Sequence, residues 1–199
     1  MKFLAVRLGS ILTALGACFL LQAVAQGTGN DYLQRMVVLA GLYVTLAVSL
    51  NLINGITGQF SIGHAAFYQV GAYTAGYLTL LNFSKGGPTN PLWLFLMIVV
   101  GALAAAVAGF VVGLPSLRLR GDYLAIVTLG FGEIIRITAN NLDFTGGPNG
   151  IFGIPDFGNF GLRTDIATYW VTAGVVSLAV LASARLGRGR LGRAWRFVR

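Results

Sequence analysis

Charge is what this sequence has least of. Only 10% of its 199 residues are Asp, Glu, Lys or Arg, against about 25% in a soluble globular domain. With 56% hydrophobic residues and a mean hydropathy of +0.76, that shortage excludes an ordinary water-facing surface and points to lipid as the solvent. Lysine occurs only as Lys2 and Lys85, and neither follows a glycine. A nucleotide-hydrolysing loop needs Gly-x-x-x-x-Gly-Lys-Ser/Thr, so that backbone amides and the lysine hold the phosphates; none is present. Gly130-Phe131-Gly132 has a superficial likeness to a nucleotide loop, but Ile135 stands where a third glycine would fall. One cysteine, Cys18, permits no internal disulfide. One histidine, His64, has no His or Cys partner at ligand spacing, which argues against a metal site. Ser61 lies near His64 without the third, orienting group that a nucleophilic mechanism requires. An enzyme is therefore not expected, nor is a bound cofactor.

What the sequence does have is long apolar runs. Six are long enough to be spans or near-spans, given the ~20 residues that a helix needs to cross a bilayer: 8–25, 36–53, 60–81, 92–114, 123–139 and 167–184. The expected fold is thus all-α, a polytopic transmembrane helix bundle of about six spans over 1–184, followed by a basic segment at 185–199. Breakers separate the runs: Asn54 to Gln59, then Lys85 to Pro91, then Pro115, which is expected to end the fourth. Glycine is abundant at 28 residues, as suits packed membrane helices. Small residues recur every fourth position at Gly41, Thr45 and Ser49, at Gly71, Ala75 and Thr79, and at Gly109 and Gly113. Close helix packing is the reading of that spacing.

Basic residues set the orientation. With the N-terminus inside, the cytoplasmic side receives Lys2, Arg7, Arg118, Arg120 and the six arginines from Arg185 to Arg199, ten in all. The other side receives three, Arg35, Lys85 and Arg163. Both ends of the chain are therefore expected in the cytoplasm, and the formal charge of +8 is read as topology rather than as a nucleic-acid surface. Ala23-Val24-Ala25 also resembles a signal-peptidase site. The run before it is long for a signal peptide, so a retained helix is the reading preferred here.

Polar groups inside apolar helices are the remaining candidates for function, because hydrocarbon makes them costly. They are Asn51 and Asn54 at the end of the second run, His64 and Gln69 early in the third, and Glu133 and Arg136 in the fifth. The last two are three apart and share a helical face. A structural ion pair and a role in a transport pathway both remain open for them. Between 140 and 166 runs a long loop containing Thr145-Gly146-Gly147-Pro148-Asn149-Gly150, whose glycines and proline favour tight turns. Its apolar residues make it a loop that folds against the bundle, as a structural lid or as a functional element.

Three blocks carry a resemblance: Leu50 to Ala75, Leu117 to Arg136 and Thr145 to Ile151. The terminal Gly189 to Arg199 is similar too. In this order they resemble the branched-chain amino-acid ABC-transporter permeases of the LivM type, over most of residues 40–199. The resemblance implies a permease subunit of the bacterial inner membrane that binds no cofactor itself. It would work with a second permease subunit, two cytoplasmic ATPase subunits that use ATP, and a periplasmic substrate-binding protein, importing leucine, isoleucine, valine or related amino acids. Urea- and amide-type relatives share much of the pattern. Family members continue beyond the position matching Arg199, so the resemblance also implies a chain incomplete after 199. A stand-alone secondary transporter coupled to protons through Glu133 is the alternative of a different class.

Overall fold

In the computed structural model of the protein, the structure describes residues 31–87, 90–116, 119, 122–162, 164–189 and 192. The first expected span and most of the basic tail lie outside the described residues. Within them there is no strand, and five α-helices account for most of the chain. They are α1 (Asp31–Asn51), α2 (His64–Ser84), α3 (Pro91–Ser116), α4 (Asp122–Asn141) and α5 (Thr164–Arg188). Each contains one of the apolar runs read from the sequence or most of it, and generally extends past it into polar residues. In α1 the helix already includes Asp31, five residues before the apolar run, because Tyr32, Gln34 and Arg35 form a helix as readily as they face water.

Among the described residues, three stretches are long and apolar enough to cross a membrane: Tyr32–Gly55, Pro91–Ser116 and Ile166–Gly187. Helices α2 and α4 have similar lengths but more polar composition. Three tyrosines, Gln69 and two threonines dilute the first, and Asp122, Glu133 and Arg136 the second. Pro115 lies inside the last turn of α3, which ends at Ser116. Proline lacks the N–H that would bond the carbonyl four residues back, and the Ser116 hydroxyl donates instead to the Gly113 carbonyl at 2.9 Å.

The helices associate as two sets. In one, α1 lies along α5; in the other, α2 packs between α3 and α4. Both contacts to α1 and α3 are built from small residues. A side chain on Gly41 would bring its Cβ to 2.7 Å from Thr172 Cγ2 of α5. A Cβ on Gly101 of α3 would stand 2.8 Å from the Gly71 carbonyl oxygen and 3.0 Å from Ala75 Cβ. The Gly71–Ala75 stripe therefore does what its spacing predicts, with Gly101 as its partner. Gly113, by contrast, has nothing within 4 Å among the described residues, so the Gly109–Gly113 pair does not extend that close packing.

The segment after α4 is ordered by its own hydrogen bonds. The Thr145 hydroxyl is bonded to the Ala139 carbonyl at 2.5 Å and to the Leu142 carbonyl at 2.7 Å, and the residue is 3% exposed. Short 3₁₀ turns follow at Asp143–Thr145, Gly147–Asn149 and Phe157–Phe160. Gly146 has φ +75°, and a Cβ there would meet the Gly150 carbonyl oxygen at 2.0 Å; only glycine accommodates both conditions. Phe160, 1% exposed, anchors the far end of the segment. Ile154 reaches α2, with Cδ1 3.1 Å from where a Gly76 Cβ would be, and Phe144 meets Tyr77 with ring centroids 5.3 Å apart. The expectation of a loop folded onto the bundle describes this segment.

Candidate functional site

The chain changes its winding where the breakers occur. After Asn51 the helix widens into a π-helical stretch, Leu52–Thr57, which Gly58 ends with φ 72°. Residues 58–63 are not helical, and α2 starts at His64. π-Helical turns sit frequently at functional sites. Side chains satisfy the backbone freed here. The Ser61 amide donates to Asn54 Oδ1 at 3.2 Å, and the Ile62 amide donates to Thr128 Oγ1 of α4 at 3.2 Å. Gly63 lies directly on α4, since a Cβ would fall 2.1 Å from the Thr128 carbonyl oxygen. Ser49 Oγ stands 2.7 Å from His64 Nε2, and the serine hydroxyl also donates to the Leu46 carbonyl at 2.9 Å. Asn54 and His64 thus both brace the interruption, one from each side. Asn51 shares the region, its side chain curled over the backbone of Gly55.

Gln69 lies elsewhere. It lines a cleft of about 410 Å³ between α2 and α4, with the start of the loop above it. From α2 the wall is the stripe Gln69, Tyr73 and Tyr77 together with Val70, Thr74 and Leu78. From α4 it is Ile135, Thr138 and Ala139, positions that share one helical face, with Leu142 just past the end of the helix. Phe144 and Thr145 complete it. The exposed lining is mostly apolar, and the six polar residues on it divide into two groups. The Gln69 amide and the Tyr73, Tyr77 and Thr138 hydroxyls make no hydrogen bond among the described residues, whereas Thr74 and Thr145, on the same walls, are bonded to backbone carbonyls. No signal in the sequence joins Gln69 to Thr138. They become neighbours only through the packing of α2 on α4.

Glu133 and Arg136 do pair, as their spacing predicts. Arg136 Nη2 is 2.8 Å and Nε 2.9 Å from Glu133 Oε2. Both side chains are about half exposed, 57% for Arg136 and 50% for Glu133, and the bridge stays within α4. It therefore does not tie helices together among the described residues, and it does not line the cleft. The structure separates the six sequence candidates into three places: the interruption, the cleft and an outward-facing ion pair. Of the six candidates from Thr145 to Gly150, Thr145 lines the cleft; Gly146, Gly147, Pro148, Asn149 and Gly150 form the turns behind it.

A helical chain with spans of this kind, an interrupted helix and a cleft beneath an ordered loop has the character of a membrane transport component. Residues 32–199 match the family described as the permease component of the branched-chain amino acid transport system, and the chain belongs to that family. It is a multi-pass membrane protein of a transport family, not of a family of enzymes. Among its relatives is the high-affinity branched-chain amino acid transport system permease protein LivM of Escherichia coli. That protein is 42% identical over an alignment of 184 positions, with coverage of 79% of this chain and 41% of the relative. Its counterpart from Salmonella typhimurium is 41% identical with the same coverage. A probable branched-chain amino acid transport permease protein LivM from Methanocaldococcus jannaschii is 29% identical over 85% of this chain and 57% of its own length. The chain thus spans about two-fifths of the length of the first two relatives. No solved structure matches it.

Proposed function

We propose that this chain is a permease subunit of an ATP-binding-cassette importer that moves branched-chain amino acids across the inner membrane. The family match over residues 32–199 is the observation that carries this reading, and the names of its relatives supply the substrate class. The chain has no nucleotide-hydrolysis motif, so the work is assigned to two cytoplasmic ATPase subunits. A second permease subunit completes the pathway, and a periplasmic binding protein delivers the substrate. Ligand and nucleotide shift the permease between inward- and outward-open states only by as much as each prefers one of them.

The orientation that fits has both ends of the chain in the cytoplasm. Then α2 and α4 run outward, the interruption at 52–63 faces the cytoplasm, and the 142–163 segment lies on the outer side with Lys85. The loop supports this arrangement, because it meets Gly76 and Tyr77 in the half of α2 that leads to Lys85. In this reading Asn51, Asn54 and His64 hold the inner end of the pathway and Gln69 its outer half. Glu133 and Arg136 neutralise each other on a face of α4 turned away from the cleft.

Co-expression with the ATPase pair, the second permease and the binding protein tests the proposal. ATP-dependent uptake of radiolabelled L-leucine, lost when this chain is omitted, is expected. Uptake that follows a proton gradient without ATPases, or selective uptake of urea or amides, would overturn it.

A further inference from the structure

We infer that residues 8–25 stay in the mature protein and lie as a helix in the apolar groove between α1 and α5, with Thr13, Gly16, Ala17 and Leu20 facing it. The groove has a volume of about 280 Å³ and runs along α1 from Val37 to Val44 and along α5 from Tyr169 to Val176. No charged side chain lines it. Ala40 and Val44 are exposed along it, so the described residues leave it uncovered.

The length of the connection says what covers it. The apolar run ends at Ala25 and α1 already includes Asp31, which leaves only Gln26-Gly27-Thr28-Gly29-Asn30 between them. Two glycines and an asparagine in so short a stretch favour a turn. Even fully extended, the chain from Ala25 to Asp31 reaches no further than about 20 Å, and helices joined this closely lie antiparallel, side by side. A span over 8–25 therefore runs along α1. The other exposed positions of α1 carry large side chains at Tyr32, Met36, Leu39 and Tyr43. The groove is where a neighbouring helix can come close.

Its two walls follow one pattern. On α1 the order is Val37, Ala40, Gly41, Val44; on α5 it is Tyr169, Thr172, Ala173, Val176. In each, a small pair is flanked three residues away on both sides by larger groups. The run 8–25 has the same spacing at Thr13, Gly16, Ala17 and Leu20, positions that share one helical face. The depths agree as well. Counted from Thr28, the middle of the connection, Gly16 and Ala40 are both 12 residues away, Leu20 and Val37 are 8 and 9, and Thr13 and Val44 are 15 and 16. Small residues thus meet small residues, which is what lets helices associate in lipid. Ile11, Leu15 and Cys18 fall on the opposite face and are left to the bilayer. A lipid acyl chain would also suit apolar walls, but it competes as a free molecule with a helix that its connection holds at high effective concentration.

The test uses the full chain in membranes. In a Cys18→Ala background, Thr13→Cys with Val44→Cys, and Leu20→Cys with Val37→Cys, are oxidised with copper phenanthroline, and the remaining thiols are counted with a polyethylene-glycol maleimide. Both pairs should lose both thiols in most molecules, because facing positions of packed helices can reach the ~4.4–6.8 Å Cα separation of a disulfide. Native Cys18 with Val37→Cys, at a similar depth on the wrong face, should keep them. Thiols retained in the first two pairs, or equal bonding in the third, would overturn the proposal. So would a purified protein whose sequence starts at Gln26. A second measurement turns on sign. Leucine is a better helix former than glycine, so Gly16→Leu on a lipid-facing surface would raise the unfolding midpoint in detergent or leave it unchanged. Seated in the groove, it should lower the midpoint by several degrees, while Cys18→Leu has no such effect. A midpoint that does not fall for Gly16→Leu assigns the groove to lipid, and cross-linking of Val44→Cys to the second permease subunit rather than to position 13 assigns it to that subunit; either result overturns the proposal.

Discussion

At the scale of single residues, most of the packing depends on side chains that are missing. Gly63 is the clearest case, with the Thr128 carbonyl where its Cβ would be. Gly63→Ala should therefore destabilise the bundle by about 1–3 kcal/mol, the usual penalty for forcing atoms into a filled space. Gly113→Ala, with open space around it, should be neutral or stabilising by up to ~1 kcal/mol, because alanine is the better helix former. Thermal unfolding in detergent, run on both variants, distinguishes these outcomes. The Glu133–Arg136 pair gives a second comparison. Glu133→Gln leaves an unpaired guanidinium on α4, and a lone charge is poorly tolerated in a span. The yield of folded, detergent-extracted protein should fall several-fold, and Glu133→Gln with Arg136→Gln should recover it. The i, i+3 spacing made this pair legible from the sequence. The spacing of Gly71 and Ala75 likewise disclosed a packing face, but Gly101 as its partner could not be read, because nothing local marks which helix will lie opposite.

At the scale of elements, apolar length indicated where helices would be, and breakers indicated where they would stop. The stretch 54–59 was legible as a break from its Asn, Gly and Thr residues. Its form, a widened helical turn followed by chain bonded to Asn54 and Thr128, was not, since half of that arrangement comes from α4. Helix limits differ from the apolar runs for a related reason. Hydropathy ends where polar residues begin, whereas a helix continues through them. The loop after α4 is held by side-chain bonds, and Thr145 is its most connected member. Thr145→Val should remove both bonds and cost ~0.5–1.5 kcal/mol. The local effect should be larger than the global one: limited proteolysis between 146 and 161 is expected to speed up several-fold while the unfolding midpoint moves little.

At the scale of the whole molecule, the distribution of basic residues predicts an orientation in which the loop and the Lys85 turn share the outer side. Single cysteines at Lys85, Asn149 and Arg185 in a Cys18→Ala background test it. An impermeant maleimide applied to spheroplasts should label the first two and spare the third; labelling of Arg185→Cys from outside would reverse the topology. The cleft was not legible at this scale, since its walls are 57 residues or more apart in sequence between Leu78 and Ile135 and neither has a motif of its own. Its two sides are also held differently. Gly71 and Gly101 let α2 and α3 meet backbone to backbone, which resists sliding. Helix α4 meets the chain before α2 at Thr128, close to its start, and the cleft lies further along it. A tilt of α4 about Thr128 would therefore act on the cleft wall. Asn141, the last residue of α4, is 13 residues away, or roughly 20 Å at ~1.5 Å per residue, so a tilt of about 5° would displace that end by roughly 2 Å.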